Sequence, residues 1–181
     1  MIAKLSANIA KFIRNNNAQA ASMEVLMFTL EVVLNATLVT LVILLIALVT
    51  GQFGEAVIML ASYLALRYFS GGAHLPTSKL CNISSVGIFI ALMFLPVSYW
   101  NVGFLLNLLA FFLVFVYAPT KDIMQLNRLG PKYTMHFKIL SLGIVALNFW
   151  IQSPLIALAF ITQTLSITPA AYKAVSYLER R

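Results

Sequence analysis

Two residues able to do nucleophilic chemistry together lie seven positions apart in the stretch from Arg67 to Ser85, RYFSGGAHLPTSKLCNISS: His74 and Cys81. A cysteine thiolate attacks carbonyl carbon, and a nearby imidazole can take the thiol proton as general base and later return it to a leaving amine. On one straight helix the two side chains would stand about 10 Å apart along the axis, too far for a hydrogen bond. Gly71, Gly72 and Pro76 interrupt such a helix, and a chain that folds back there brings the imidazole towards the sulfur. With Ser78 as N-cap of the next helix, Cys81 takes the third helical position, where unpaired backbone N–H groups and the helix dipole favour an anion. Lys79 adds positive charge nearby. Cys81 is the only cysteine of the chain, so no intramolecular disulfide framework exists. The same residues also fit a plainer arrangement, a cysteine packed as a small hydrophobe beside a histidine at the membrane boundary.

Around this pair stand weaker candidates. Glu31 is an acid in apolar company and could orient His74 or form a structural ion pair with Arg67. Asn82 and the backbone N–H of Cys81 are candidate donors to an oxyanion. Lys121, Arg128, Lys132 and Lys138 could hold an acidic peptide tail, or could serve only to set topology. A catalytic zinc normally takes three protein ligands, and the chain offers only His74, Cys81, His136 and five acidic residues. His136 lies among lysines and reads as a solvated interface residue. No H-E-x-x-H, P-loop or G-x-S-x-G motif occurs, so neither metal nor cofactor is expected.

The elements that must position these residues are membrane helices. Of the 181 residues, 61% are hydrophobic and 9% charged, which excludes an ordinary water-soluble domain. Apolar runs approach the ~20 residues needed to cross a ~30 Å hydrocarbon layer, without the alternation of a membrane barrel. The expected fold is therefore all-α, a polytopic helix bundle with about six transmembrane helices near 31–50, 55–70, 83–100, 102–118, 138–152 and 155–172. A four-span arrangement with interfacial or re-entrant segments is the alternative, because the second, fifth and sixth spans are short or carry polar residues. Tyr99, Trp100 and Trp150 fit interfacial anchoring.

The net charge of +7 suggests nucleic acid until its distribution is read. With the N-terminus in the cytoplasm, every Lys and Arg falls on the cytoplasmic side. The turns GQFGE, SYWNVG and IQSP contain none. That is the positive-inside pattern, with both termini and the His74–Cys81 segment at the inner face, where the cytosol keeps a lone thiol reduced. The opening residues, MIAKLSANIAKFIRNNN, do not read as a signal peptide. Ile2, Leu5, Ile9, Phe12 and Ile13 recur at helical spacing, so residues 1–23 are expected to hold an amphipathic helix on the bilayer surface. No linker or repeat divides the chain, and 1–181 reads as one domain with 67–85 as its active-site segment.

RYFSGGAHLPTSKLC resembles the motif of the accessory gene regulator protein B (AgrB) family of bacterial membrane peptidases, and FTLEVVLN and VYAPTKD match in the expected order. The resemblance implies a cysteine endopeptidase of the bacterial cell membrane that cuts the C-terminal tail from a small amphipathic propeptide. It further implies closure of the remaining peptide into a thiolactone or lactone quorum-sensing signal. Carried onto this chain, Cys81 is the nucleophile and His74 its base. The expected partners are the propeptide, the lipid bilayer and, from the resemblance alone, a second copy of the chain. The rival reading is a small transporter or channel subunit with a re-entrant, His74-containing loop.

Overall fold

The computed structural model describes residues 2–17, 19–73, 75, 77–126 and 131–179. Among them all regular structure is helical, as an apolar chain that must satisfy its own backbone in lipid requires. Helix α1 (Ile2–Asn16) turns Ser6 and Ala10 against α2 and leaves Leu5 and Phe12 exposed. Two small residues at i and i+4 let the backbones approach closely.

Helix α2 (Met23–Val49) begins earlier than its apolar run, because Ser22 caps it by accepting the N–H of Val25. Glu24 and Glu31 therefore share one helix. Helix α3 (Phe53–Ser70) returns and stops at Gly71, and α4 (Ser78–Met93) follows.

Two expected spans have different limits. The run 83–100 is broken after Met93: Pro96 lacks a backbone donor and disfavours helix in the residue before it. A π-helical turn (Tyr99–Gly103) then leads into α5 (Phe104–Tyr117). The run 155–172 is likewise divided into α8 (Pro154–Ser166) and α9 (Pro169–Glu179), bent by 62° at a break ahead of Pro169. Between lie the short α6 (Lys121–Leu126), a 3-10 turn (Pro131–Tyr133) and α7 (Thr134–Ile151).

Three of these segments, α2, the π turn with α5, and α7, are long and apolar enough to cross a bilayer, and the bent α8–α9 pair makes a fourth if taken as one span. Trp100 and Trp150 are exposed near helix ends, and the Trp100 ring stacks on Phe104.

The core has two parts that share α3 as a wall. One gathers Leu66, Ala110, Val114, Val145, Phe160 and Ile161 from α3, α5, α7 and α8. The other gathers Ile43, Ala47, Ala56, Met59, Phe89 and Met93 from α2, α3 and α4. Helix α8 is the central element, buried continuously from Ile156 to Ile161. Polar contacts lock it at one end: Asn148 donates to Asn107 Oδ1 and to the Ser153 carbonyl, 3.1 Å each, and its own oxygen accepts the Ser153 N–H. Such interhelical bonds contribute on the order of 0.6 kcal/mol each in a membrane bundle. The other end of α8 reaches the Gly71–Gly72 turn.

Candidate functional site

The chain leaves α3 through two residues that only glycine suits. Gly71 has φ +73 and Gly72 φ +147, and an added Cβ would strike the Thr120 hydroxyl at the first and the Ser166 hydroxyl at the second. The turn is held from three sides. Arg67, one turn before the end of α3, donates from Nη2 to the carbonyls of Gly72 (3.5 Å) and Ala73 (3.3 Å), and from Nη1 to Gln163 Oε1 (3.1 Å), Tyr63 Oη (3.3 Å) and Ser166 Oγ (3.4 Å). Gln163, fully buried on α8, donates to the Gly71 carbonyl at 2.6 Å and to Ser70 Oγ at 3.0 Å. The Ala73 N–H donates to the Ser166 carbonyl at 3.0 Å. From the third side, the Thr120 N–H donates to the Ser70 carbonyl at 2.9 Å, placing the segment after the cis Ala118–Pro119 bond against the turn.

Past the turn, α4 opens with its capping residue one position earlier than expected. Thr77, not Ser78, is the N-cap: its backbone is extended and its hydroxyl accepts the Leu80 N–H at 3.3 Å. Either hydroxyl could cap, and the helix starts one residue sooner, so Cys81 is its fourth residue. The Cys81 N–H is consequently engaged in the first helical bond, to the Thr77 carbonyl at 3.0 Å. That removes it as an oxyanion donor. Asn82, the other candidate, donates to Asn35 Oδ1 of α2 at 3.0 Å. Cys81 itself is half-buried, while Thr77 to Leu80 are exposed.

His74, Pro76 and Arg128 lie outside the described residues. Glu31 accepts a bond from Ser6 Oγ of α1 at 3.3 Å, which ties α1 to α2. The remaining basic candidates stand on different elements. Lys121 is exposed at the start of α6, Lys132 lies 5.0 Å over the Tyr133 ring, and Lys138 lies 5.1 Å over Phe115. Beside Lys121, Asp122 accepts a 2.7 Å bond from the Tyr172 hydroxyl, joining α6 to α9.

The family model for Accessory gene regulator B matches residues 6–168, which covers the glycine turn, Cys81 and all of α8. The chain belongs to the accessory gene regulator B family. Among its relatives, the accessory gene regulator protein B of Staphylococcus lugdunensis is 27% identical over 164 residues, spanning 86% of this chain and 87% of its own. That of Staphylococcus intermedius is 32% identical over 106 residues, 56% of this chain and 55% of its own. An AgrB-like protein of Listeria innocua is 30% identical over 160 residues, 81% and 76% of the two chains. No solved structure matches the chain.

Within this AgrB-family chain, sequence reasoning passed over Gln163, Ser166 and Thr120. A signal for Gln163 was present: an amide in the apolar run LIALAFITQTL is costly in a membrane helix unless bonded. Nothing in the local pattern showed that its partners would be Arg67, Ser70 and Gly71, more than ninety residues away.

Proposed function

We propose that this AgrB-family protein is a membrane cysteine endopeptidase that trims a small amphipathic propeptide and prepares it for closure into a cyclic quorum-sensing signal. The observation that carries the reading is the placement of the lone cysteine. Cys81 stands half-buried in the first turns of α4, a few residues beyond a glycine turn whose backbone is bonded at Gly71, Gly72 and Ala73.

In the proposed reaction His74 takes the Cys81 proton as Sγ attacks the scissile carbonyl. The tetrahedral adduct collapses, the C–N bond breaks, and His74 returns the proton to the departing amine of the tail. The product is a thioester between the propeptide and Cys81. A thiol or hydroxyl of the propeptide then displaces the cysteine, forming the thiolactone or lactone and regenerating the thiol. A thioester preserves acyl-transfer potential that direct hydrolysis would discard. Placement of the site at the membrane border is proposed to restrict water and so favour ring closure. Lys121, Arg128, Lys132 and Lys138 are proposed to attract the acidic tail, and α1, with exposed Leu5 and Phe12, to lie on the bilayer beside the propeptide. The protein is proposed to act as a homodimer with both termini and the site at the cytoplasmic face.

The test is co-reconstitution of the purified protein and its candidate propeptide in liposomes, with the tail fragment followed by mass spectrometry. Cys81→Ala and His74→Ala should each abolish cleavage, and wild type should yield a propeptide adduct on Cys81. Undiminished cleavage by Cys81→Ala would end the thiol mechanism, and transport activity that survives it would establish the transporter reading instead. For topology, cysteines placed at Gln52 and Gln152 in a Cys81→Ser background should label from outside and one at Lys132 should not.

A further inference from the structure

We infer that Gln163, in the buried centre of the bundle, is a positioning residue for cleavage, acting through the Gly71–Ala73 turn. The inference rests on the thiol-peptidase reading above. Gln163 is fully buried, and its amide joins the end of α3 and its turn to the Arg67 guanidinium. The Nε2 group donates to the Gly71 carbonyl and to Ser70 Oγ, while Oε1 accepts from Arg67 Nη1. Arg67 in turn donates to the carbonyls of Gly72 and Ala73. Three consecutive carbonyls are thus held, the first by Gln163 directly and the next two by the guanidinium that Gln163 orients.

The third of these carbonyls belongs to the peptide unit that joins Ala73 to His74. The N–H of Ala73 is held as well, by the carbonyl of Ser166, one helical turn after Gln163. Ser166 Oγ donates to the Gln163 carbonyl at 2.7 Å, which ties this end of α8 together. The chain leading to His74 is therefore anchored through both polar groups of Ala73, the N–H to Ser166 of α8 and the carbonyl to Arg67 of α3. Glycine alone permits this close approach: a Cβ on Gly72 would meet Ser166, Arg67 and Gln163.

A glutamine with this role supplies no proton and touches no substrate. Its removal leaves Cys81 and the α4 cap untouched, but frees the Gly71–Ala73 turn that precedes His74 in the chain. Displacement of a general base by about 1 Å from a remote change can cost on the order of a hundredfold in rate. The signature is loss of turnover without loss of substrate binding.

The experiment compares wild type, Gln163→Leu and Gln163→Glu in liposomes with a synthetic propeptide, measuring kcat and KM separately and the thermal midpoint of each variant. Gln163→Leu removes donor and acceptor; Gln163→Glu keeps size and an acceptor for Arg67 but loses the NH2 that serves Gly71 and Ser70. In both, kcat should fall at least about tenfold while KM stays within about twofold. If Gln163→Leu fails to fold, the isosteric Gln163→Glu carries the test. A kcat within about twofold of wild type in a folded variant, or a rise in KM at unchanged kcat, overturns the inference. Failure of the underlying reading looks different: wild type does not cleave, or Cys81→Ala cleaves as well as wild type, whatever Gln163 does.

Discussion

The turn at Gly71–Ala73 and the first turn of α4 lie within ten residues of each other and are built in opposite ways. In the turn, Gly71 and Gly72 are buried, and the carbonyls of all three residues are bonded to side chains of α3 or α8. In the first turn of α4, Thr77 to Leu80 are exposed, and the structure is maintained by one hydroxyl cap and ordinary helical bonds. The bonded turn leads into His74 and the open one carries Cys81. A general base must be oriented before it is useful, whereas a nucleophile that receives a peptide must be reachable. Under the proposed reaction, the contrast suits a site in which the scaffold fixes the turn that precedes the base and the substrate completes the other side.

The largest effect that would break this contrast is expected at Gly72. Gly72→Ala forces a side chain onto φ +147 and into Ser166 Oγ and Arg67. It should cost on the order of 1–3 kcal/mol of stability and reduce cleavage by roughly a hundredfold. Denaturation in detergent and tail release in liposomes measure the two effects, and near-normal activity would show that the turn need not be rigid.

A smaller loss is expected for Arg67→Lys. Lysine keeps the charge but cannot present the planar fork that reaches Gln163 with one nitrogen and the Gly72 and Ala73 carbonyls with the other. Cleavage should fall about tenfold with KM little changed. The steady-state parameters decide, and a rise in KM alone would move Arg67 from the turn to the substrate.

The smallest effect is expected on the open side. Thr77→Ala removes the cap on Leu80 and should cost about 1 kcal/mol, confined to the first turn of α4. Hydrogen exchange at Leu80 and Cys81 should rise while cleavage drops only a few fold. A loss as large as that of Gly72→Ala would erase the distinction between the two regions.

Much of this arrangement was legible in the chain. A helical membrane fold followed from the apolar runs, and the glycine pair from the need to leave a helix sharply. The resemblance in RYFSGGAHLPTSKLC pointed to the family that the comparison over residues 6–168 established. Positions that depend on competition between neighbours were less legible. Thr77 and Ser78 are both good caps, and which one serves depends on where the preceding chain is anchored. Pro96 and Pro169 lie inside long apolar runs that read as unbroken spans, yet the helix ahead of each proline ends before its run is complete.

The sequence by itself determined the solvent this protein folds in, the helical class that solvent enforces, and the one thiol available for chemistry, because these depend on composition and on backbone rules that act over a few residues. Tertiary structure decided what holds the turn before His74. Gln163 is an isolated amide in an apolar helix until α8 is surrounded by α3, α5 and α7. Burial among them removes competing solvent, and only then do Arg67, Ser70 and Gly71 become its partners.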